Sequence, residues 1–93
     1  MRQREARLQK RIVAALGRAG IPAWRIRPMG LSGWPDIYGI LPGGRALHIE
    51  VKMPKEEPEP LQADTLKILG EAGAVVGWTT SVKEALAIAG VSP

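Results

Sequence analysis

The chain has 93 residues and a formal charge of +4, with no Cys, no Phe and a single His. That length fits one domain, 1–93, whose small core buries roughly 60–65% of the unfolded surface. The lack of Cys excludes disulfides, thiolate metal sites and Cys nucleophiles, and one His excludes a multi-histidine zinc site within the chain.

The basic excess points to a polyanionic partner. No apolar run reaches membrane-spanning length, and no signal-peptide apolar block opens the chain. Together with the absent Cys, this fits a reducing, cytoplasmic setting.

In chain order, Leu8, Ile12, Ala15, Leu16 and Ala19 share one helical face and predict a helix over 3–19, which Gly20 ends. Arg4, Arg7, Arg11 and Arg18 form a basic stripe beside it. Glu5 falls on the apolar stripe one turn before Leu8. A carboxylate there is costly unless it faces a polar site.

Residues 22–27 predict a short strand with Trp24 and Ile26 on one face and Arg25 and Arg27 on the other. A Gly/Pro-rich loop follows at 28–35. Strands over 36–41 and 45–53, joined by Pro-Gly-Gly at 42–44, predict a hairpin that Pro54 ends.

After a polar, Pro-rich loop, residues 60–72 predict a helix with Leu61, Thr65, Ile68, Leu69 and Ala72 inward. Residues 74–79 then predict a buried strand. Ser81 and Glu84 have capping-box spacing and open a last helix with Val82, Ala85, Leu86 and Ala89 on one face. The order α-β-β-β-α-β-α is a mixed α/β layer fold, a central mixed sheet flanked by helices.

The chemistry concentrates on the hairpin. Leu47, Ile49 and Val51 form one half of an alternating strand; His48, Glu50 and Lys52 form the other. Glu50 and Lys52 therefore share a face, ~7 Å apart along the chain. A hairpin closed at 42–44 brings Asp36 opposite residues 50–52.

Asp36 and Glu50 supply hard oxygens suited to Mg²⁺ or Mn²⁺, and the Val51 carbonyl is a further candidate ligand. Lys52 is placed to orient or deprotonate a water, or to stabilise developing negative charge. That set is equipment for phosphodiester hydrolysis. Taken singly, a Glu and a Lys two apart are usually a solvated face, and an Asp after Pro is usually a turn residue. Their joint fit to one hairpin, with Glu5 on an apolar face, favours a site.

The segment Gly33-Trp34-Pro35-Asp36, followed by Glu50-Val51-Lys52, resembles the PD-(D/E)XK nuclease motif. With Glu5 in an early helix, Gly43-Gly44 in the turn and Gln62 in the following helix, it resembles the VRR-NUC (virus-type replication-repair nuclease) branch of that superfamily.

The resemblance implies a metal-dependent nuclease acting on structured DNA, and a homodimer that acts on four-way junctions. It implies Asp36, Glu50, Lys52 and Gln62 as catalytic residues, with Glu5 as a metal ligand or a group behind one. A phage or prophage origin goes with it.

Arg4, Arg7, Arg11, Arg25 and Arg27 are the candidate phosphate contacts. Packing is the expected role of His48, Tyr38 and Trp34. The competing reading is a non-catalytic DNA- or partner-binding module. A sequence-specific restriction-type enzyme is disfavoured, because so short a chain leaves little room for a separate recognition element.

Overall fold

A computed structural model describes residues 3–92, so Arg2 lies outside the described residues. Its elements run α1 (Gln3–Arg18), β1 (Ala23–Arg25), β2 (Ile37–Ile40), β3 (Ala46–Val51), α2 (Pro60–Glu71), β4 (Val75–Thr79) and α3 (Val82–Ile88). The predicted order holds. The strands form one sheet in the order β1-β2-β3-β4. β1/β2 and β2/β3 pair antiparallel and β3/β4 parallel, with α2 as the crossover.

The alternation in β3 divides the molecule. Leu47, Ile49 and Val51 are each fully buried and join Ile37, Ile12, Leu16 and Ala85 in the core under α1 and α3. His48, Glu50 and Lys52 point to the opposite face. There α2 packs over β3 and β4, and no helix lies squarely over β1 and β2. The hairpin register pairs Ile37 with Ile49 and Tyr38 with His48, which sets Asp36 opposite Glu50.

Three expectations need correction. α2 is rotated from its predicted face: Leu66 is its buried residue, while Ile68 is 65% exposed, Leu61 53% exposed, and Ala72 is also exposed. The apolar residues of this helix are spread around it and define no sharp stripe. Orientation comes instead from Gln62, Leu66 and Gly70, spaced one turn apart. Gly70 allows the close approach, since a Cβ there would stand 3.1 Å from Val76.

The segment predicted as a buried strand is an edge strand. β4 has a single neighbour and leaves Trp78 42% exposed. Finally, Ala19 lies beyond α1 and is exposed; Gln9 is buried on that helix instead.

Candidate active site

Pro35 is fully buried and anchors the chain where the 28–34 loop enters β2. Gly33 has φ +79°, and a Cβ there would approach Leu61 to 2.7 Å, so this loop lies tight against the start of α2. Asp36 is thereby held between a rigid loop and the sheet. Its Oδ2 accepts a 2.9 Å hydrogen bond from the Val51 amide, a bond that crosses the hairpin.

Glu50 is 2% exposed. Its Oε2 accepts from Gln62 Nε2 at 2.9 Å and lies 3.6 Å from Lys52 Nζ. Oε1 is buried with no hydrogen-bond partner among the described residues. An orphaned carboxylate oxygen in a buried position is costly and marks a place where an ion or water fits.

The orientation of Gln62 is fixed by local structure. It is the third residue of α2 and its Oε1 accepts from the Glu59 amide at 2.9 Å, completing a capping box. That bond turns its NH₂ toward Glu50. The Glu-x-x-Gln spacing at 59–62 carried this signal in the sequence; the partner across space did not.

Burial, and next the neighbouring Asp36 charge, push the Glu50 carboxyl up to about 8, with Lys52 opposing. Burial also raises Asp36, against the Val51 amide and the Arg27 and Lys52 charges, which favour its ionised form. Glu5 reaches this cluster from the first turn of α1. Its carboxyl is raised by burial and by Asp36, while Lys52 and Arg27 oppose. No group of three or more His, Asp or Glu side chains closes into a metal cage among the described residues. The carboxylate pair of Asp36 and Glu50, with one unmet oxygen, fits a divalent cation that keeps several waters.

A polar cleft of about 280 Å³ lies over Asp36, lined by Ile26, Arg27, Trp34 and Gln62 among others. Of the predicted phosphate contacts, Arg27 therefore borders the site. Arg25 is drawn to the other face, where its Nε donates to Gln9 Oε1 at 3.0 Å. Arg4, Arg7 and Arg11 are exposed along α1.

His48 is 7% exposed and packs between Tyr38 and Trp34; burial lowers its pKa. Gln9, which carries no signal in the sequence, is 1% exposed one turn after Glu5, and its Nε2 has no hydrogen-bond partner among the described residues.

No family model matches the chain. A solved structure described as a VRR-NUC domain superposes with a TM-score of 0.75 at 30% identity, covering 87% of this chain and 88% of that one. The chain belongs to the VRR-NUC family, within the PD-(D/E)XK nuclease superfamily.

A second solved structure, a VRR-NUC domain protein, shares the fold at TM-score 0.69 and 19% identity, covering 90% of this chain and 83% of that one. A curated relative, "Putative nuclease p44" of Acyrthosiphon pisum secondary endosymbiont phage 1, is 34% identical over 59 residues. That match spans 63% of this chain and 63% of the relative. No helix of the described residues is long and apolar enough to cross a membrane.

Proposed function

We propose that this VRR-NUC domain is a Mg²⁺- or Mn²⁺-dependent endodeoxyribonuclease that hydrolyses phosphodiester bonds in branched DNA, four-way junctions foremost, as a homodimer in the cytoplasm. The observation that carries the reading is the carboxyl pair: half-buried Asp36 faces buried Glu50, whose Oε1 has no partner among the described residues, and Lys52 Nζ stands 3.6 Å from the same carboxylate. A module that only binds DNA has no use for two carboxyl groups held together where burial raises both pKa values and the Asp36 charge raises that of Glu50 further.

When bound, the cation supplies charge neutralisation and Lewis-acid activation at the scissile phosphate. Asp36 and Glu50 would hold it, with the Val51 carbonyl as a further ligand and Glu5 acting from behind the pair. The Val51 amide fixes the Asp36 carboxylate, and Gln62 fixes that of Glu50. Gln62 is thus a positioning residue. Lys52 lies on the same strand face as Glu50, placed to orient the attacking water and to offset negative charge as it develops on the phosphoryl oxygens. Arg27 at the cleft wall attracts the phosphate backbone.

Four-way-junction DNA, duplex, flap and single strand are incubated with the protein and Mn²⁺, beside Asp36→Asn. The intact protein is expected to cut the junction. The variant is expected to stay folded, lose measurable Mn²⁺ binding by calorimetry and lose cleavage. Equal Mn²⁺ affinity in the two proteins removes Asp36 from the site.

A further inference from the structure

The half of the site face that no helix covers carries a row of rings. Trp24 on β1 stacks on Tyr38 of β2 with centroids 5.9 Å apart and planes 23° apart. Tyr38 meets His48 at 5.3 Å, and His48 meets Trp34 at 5.7 Å, edge to face. The strand register places Trp24, Tyr38 and His48 in one cross-strand line.

This line lies two residues from Asp36 on β2 and two from Glu50 on β3, about 7 Å along the sheet. Trp24 lies one strand further out than Tyr38, about 5 Å to the side, so an extended strand of one or two nucleotides covers the distance from its ring to Asp36. At its inner end the row enters the cleft that contains Trp34, Asp36 and Arg27. At its outer end Trp24 is 49% exposed on an edge strand, with one face held by Tyr38.

A tryptophan this open is poor core material. Its ring is stacked on that of Tyr38, and the row it ends leads to the cleft that contains Arg27. Its exposed ring face suits a flat π-system, and Arg27 beside the same cleft suits the phosphate attached to it.

We infer that Trp24, backed by Tyr38, is a stacking platform for an unpaired nucleobase flanking the scissile phosphate, so that the protein selects DNA with an unstacked base at the cut. The occupant is a single DNA strand. The inference rests on the nuclease reading for its substrate, but not for its test. Every base has a π-face, so the platform selects for unpairing and not for sequence. The base leaves its stack at little cost at a branch point or in a single strand, and at a cost of a few kcal/mol in continuous duplex.

The test is equilibrium binding of a fluorescein-labelled oligothymidylate, and of a duplex of the same length, without divalent cation. Trp24→Ala is expected to weaken single-strand binding by roughly 5- to 150-fold, the equivalent of about 1–3 kcal/mol for one stacked base. Trp24→Phe is expected to keep most of the affinity, and duplex binding to change far less.

A second measurement needs no change at Trp24. In the protein carrying Trp34→Phe and Trp78→Phe, the remaining indole emission is expected to be quenched by the oligothymidylate. Unaltered affinity in Trp24→Ala, or no quenching, overturns the platform. So does Trp24→Ala turning a dimer into a monomer in sedimentation, which makes this face a contact between copies. Trp24-dependent binding in a protein that cuts no DNA leaves the platform standing and defeats the nuclease reading; cleavage with Trp24-independent binding does the reverse.

Discussion

The two faces of the sheet are built from the same strands and follow opposite rules. Under α1 and α3, Ile37, Leu47, Ile49 and Val51 are each fully buried beside Ile12 and Leu16, and burial of each side chain stabilises the fold by roughly 1.5–3 kcal/mol. On the other face, Glu50 sits where burial and the Asp36 charge raise its pKa, with Lys52 opposing, and where one of its oxygens has no hydrogen-bond partner among the described residues. The dry face holds the strand rigid, so the other face can keep two carboxylates and a lysine in an arrangement that would otherwise relax. Stability and the proposed chemistry should therefore be separable at single-residue resolution, and four experiments test that separation.

Lys52→Ala should give the largest effect. Turnover at saturating DNA and Mn²⁺ is expected to fall by a factor on the order of 10²–10⁴ while the melting curve stays close to that of the unchanged protein. Wild-type turnover in that variant removes Lys52 from the chemistry and erases the contrast between the faces.

Ile49→Ala lies between His48 and Glu50 but faces the core. It should cost about 2–5 kcal/mol in denaturant unfolding, with metal affinity unchanged in the fraction that stays folded. Loss of metal binding without loss of stability would show that the two faces are not independent.

The metal-free protein should have a pH dependence that originates on the site face. Burial and the Asp36 charge raise the Glu50 carboxyl from its ordinary value of 4.5 to about 8 in the folded state. Between those values the unfolded chain has released the proton and the folded chain retains it. Stability must then fall as pH rises through this window, by an amount on the order of a few kcal/mol, and level off above it. Glu50→Gln should flatten that slope. Urea titrations at pH 5 and pH 8 for both proteins measure it; equal slopes would assign the pH dependence elsewhere.

The smallest effect separates two groups of arginines. Arg27 lines the cleft beside Asp36, whereas Arg7 and Arg11 are exposed on α1, the helix that covers the dry face. Arg27→Ala is expected to reduce the salt slope of DNA binding by roughly one unit, as for one lost phosphate contact. Arg7→Ala with Arg11→Ala is expected to leave it unchanged. The reverse pattern would route the DNA over α1.

Much of this arrangement is legible along the chain, because it depends on local rules. The period-2 pattern of residues 46–52 separates core from site without any tertiary information. The Pro-Gly-Gly turn fixes the hairpin register, and with it the opposition of Asp36 and Glu50. Glu5 stands out as a carboxylate on an apolar helical stripe, and Ser81 with Glu84 marks the start of α3: the Glu84 amide donates to Ser81 Oγ at 3.1 Å.

Three features are not written locally. The roll of α2 depends on a bond from Gln62 to a strand 12 residues away and on the contact of Gly70 with Val76, and weakly amphipathic residues could not announce it. The edge position of β4 depends on how many strands the sheet has, which an apolar run such as Val75–Thr79 does not encode. The uncovered β1–β2 half, where Trp24 lies open, follows from where α2 settles. Side-chain alternation and turn chemistry act over two to four residues and are visible in order along the chain. Helix orientation, strand neighbours and open surface are set by contacts between distant segments, and only the folded arrangement brings those segments together.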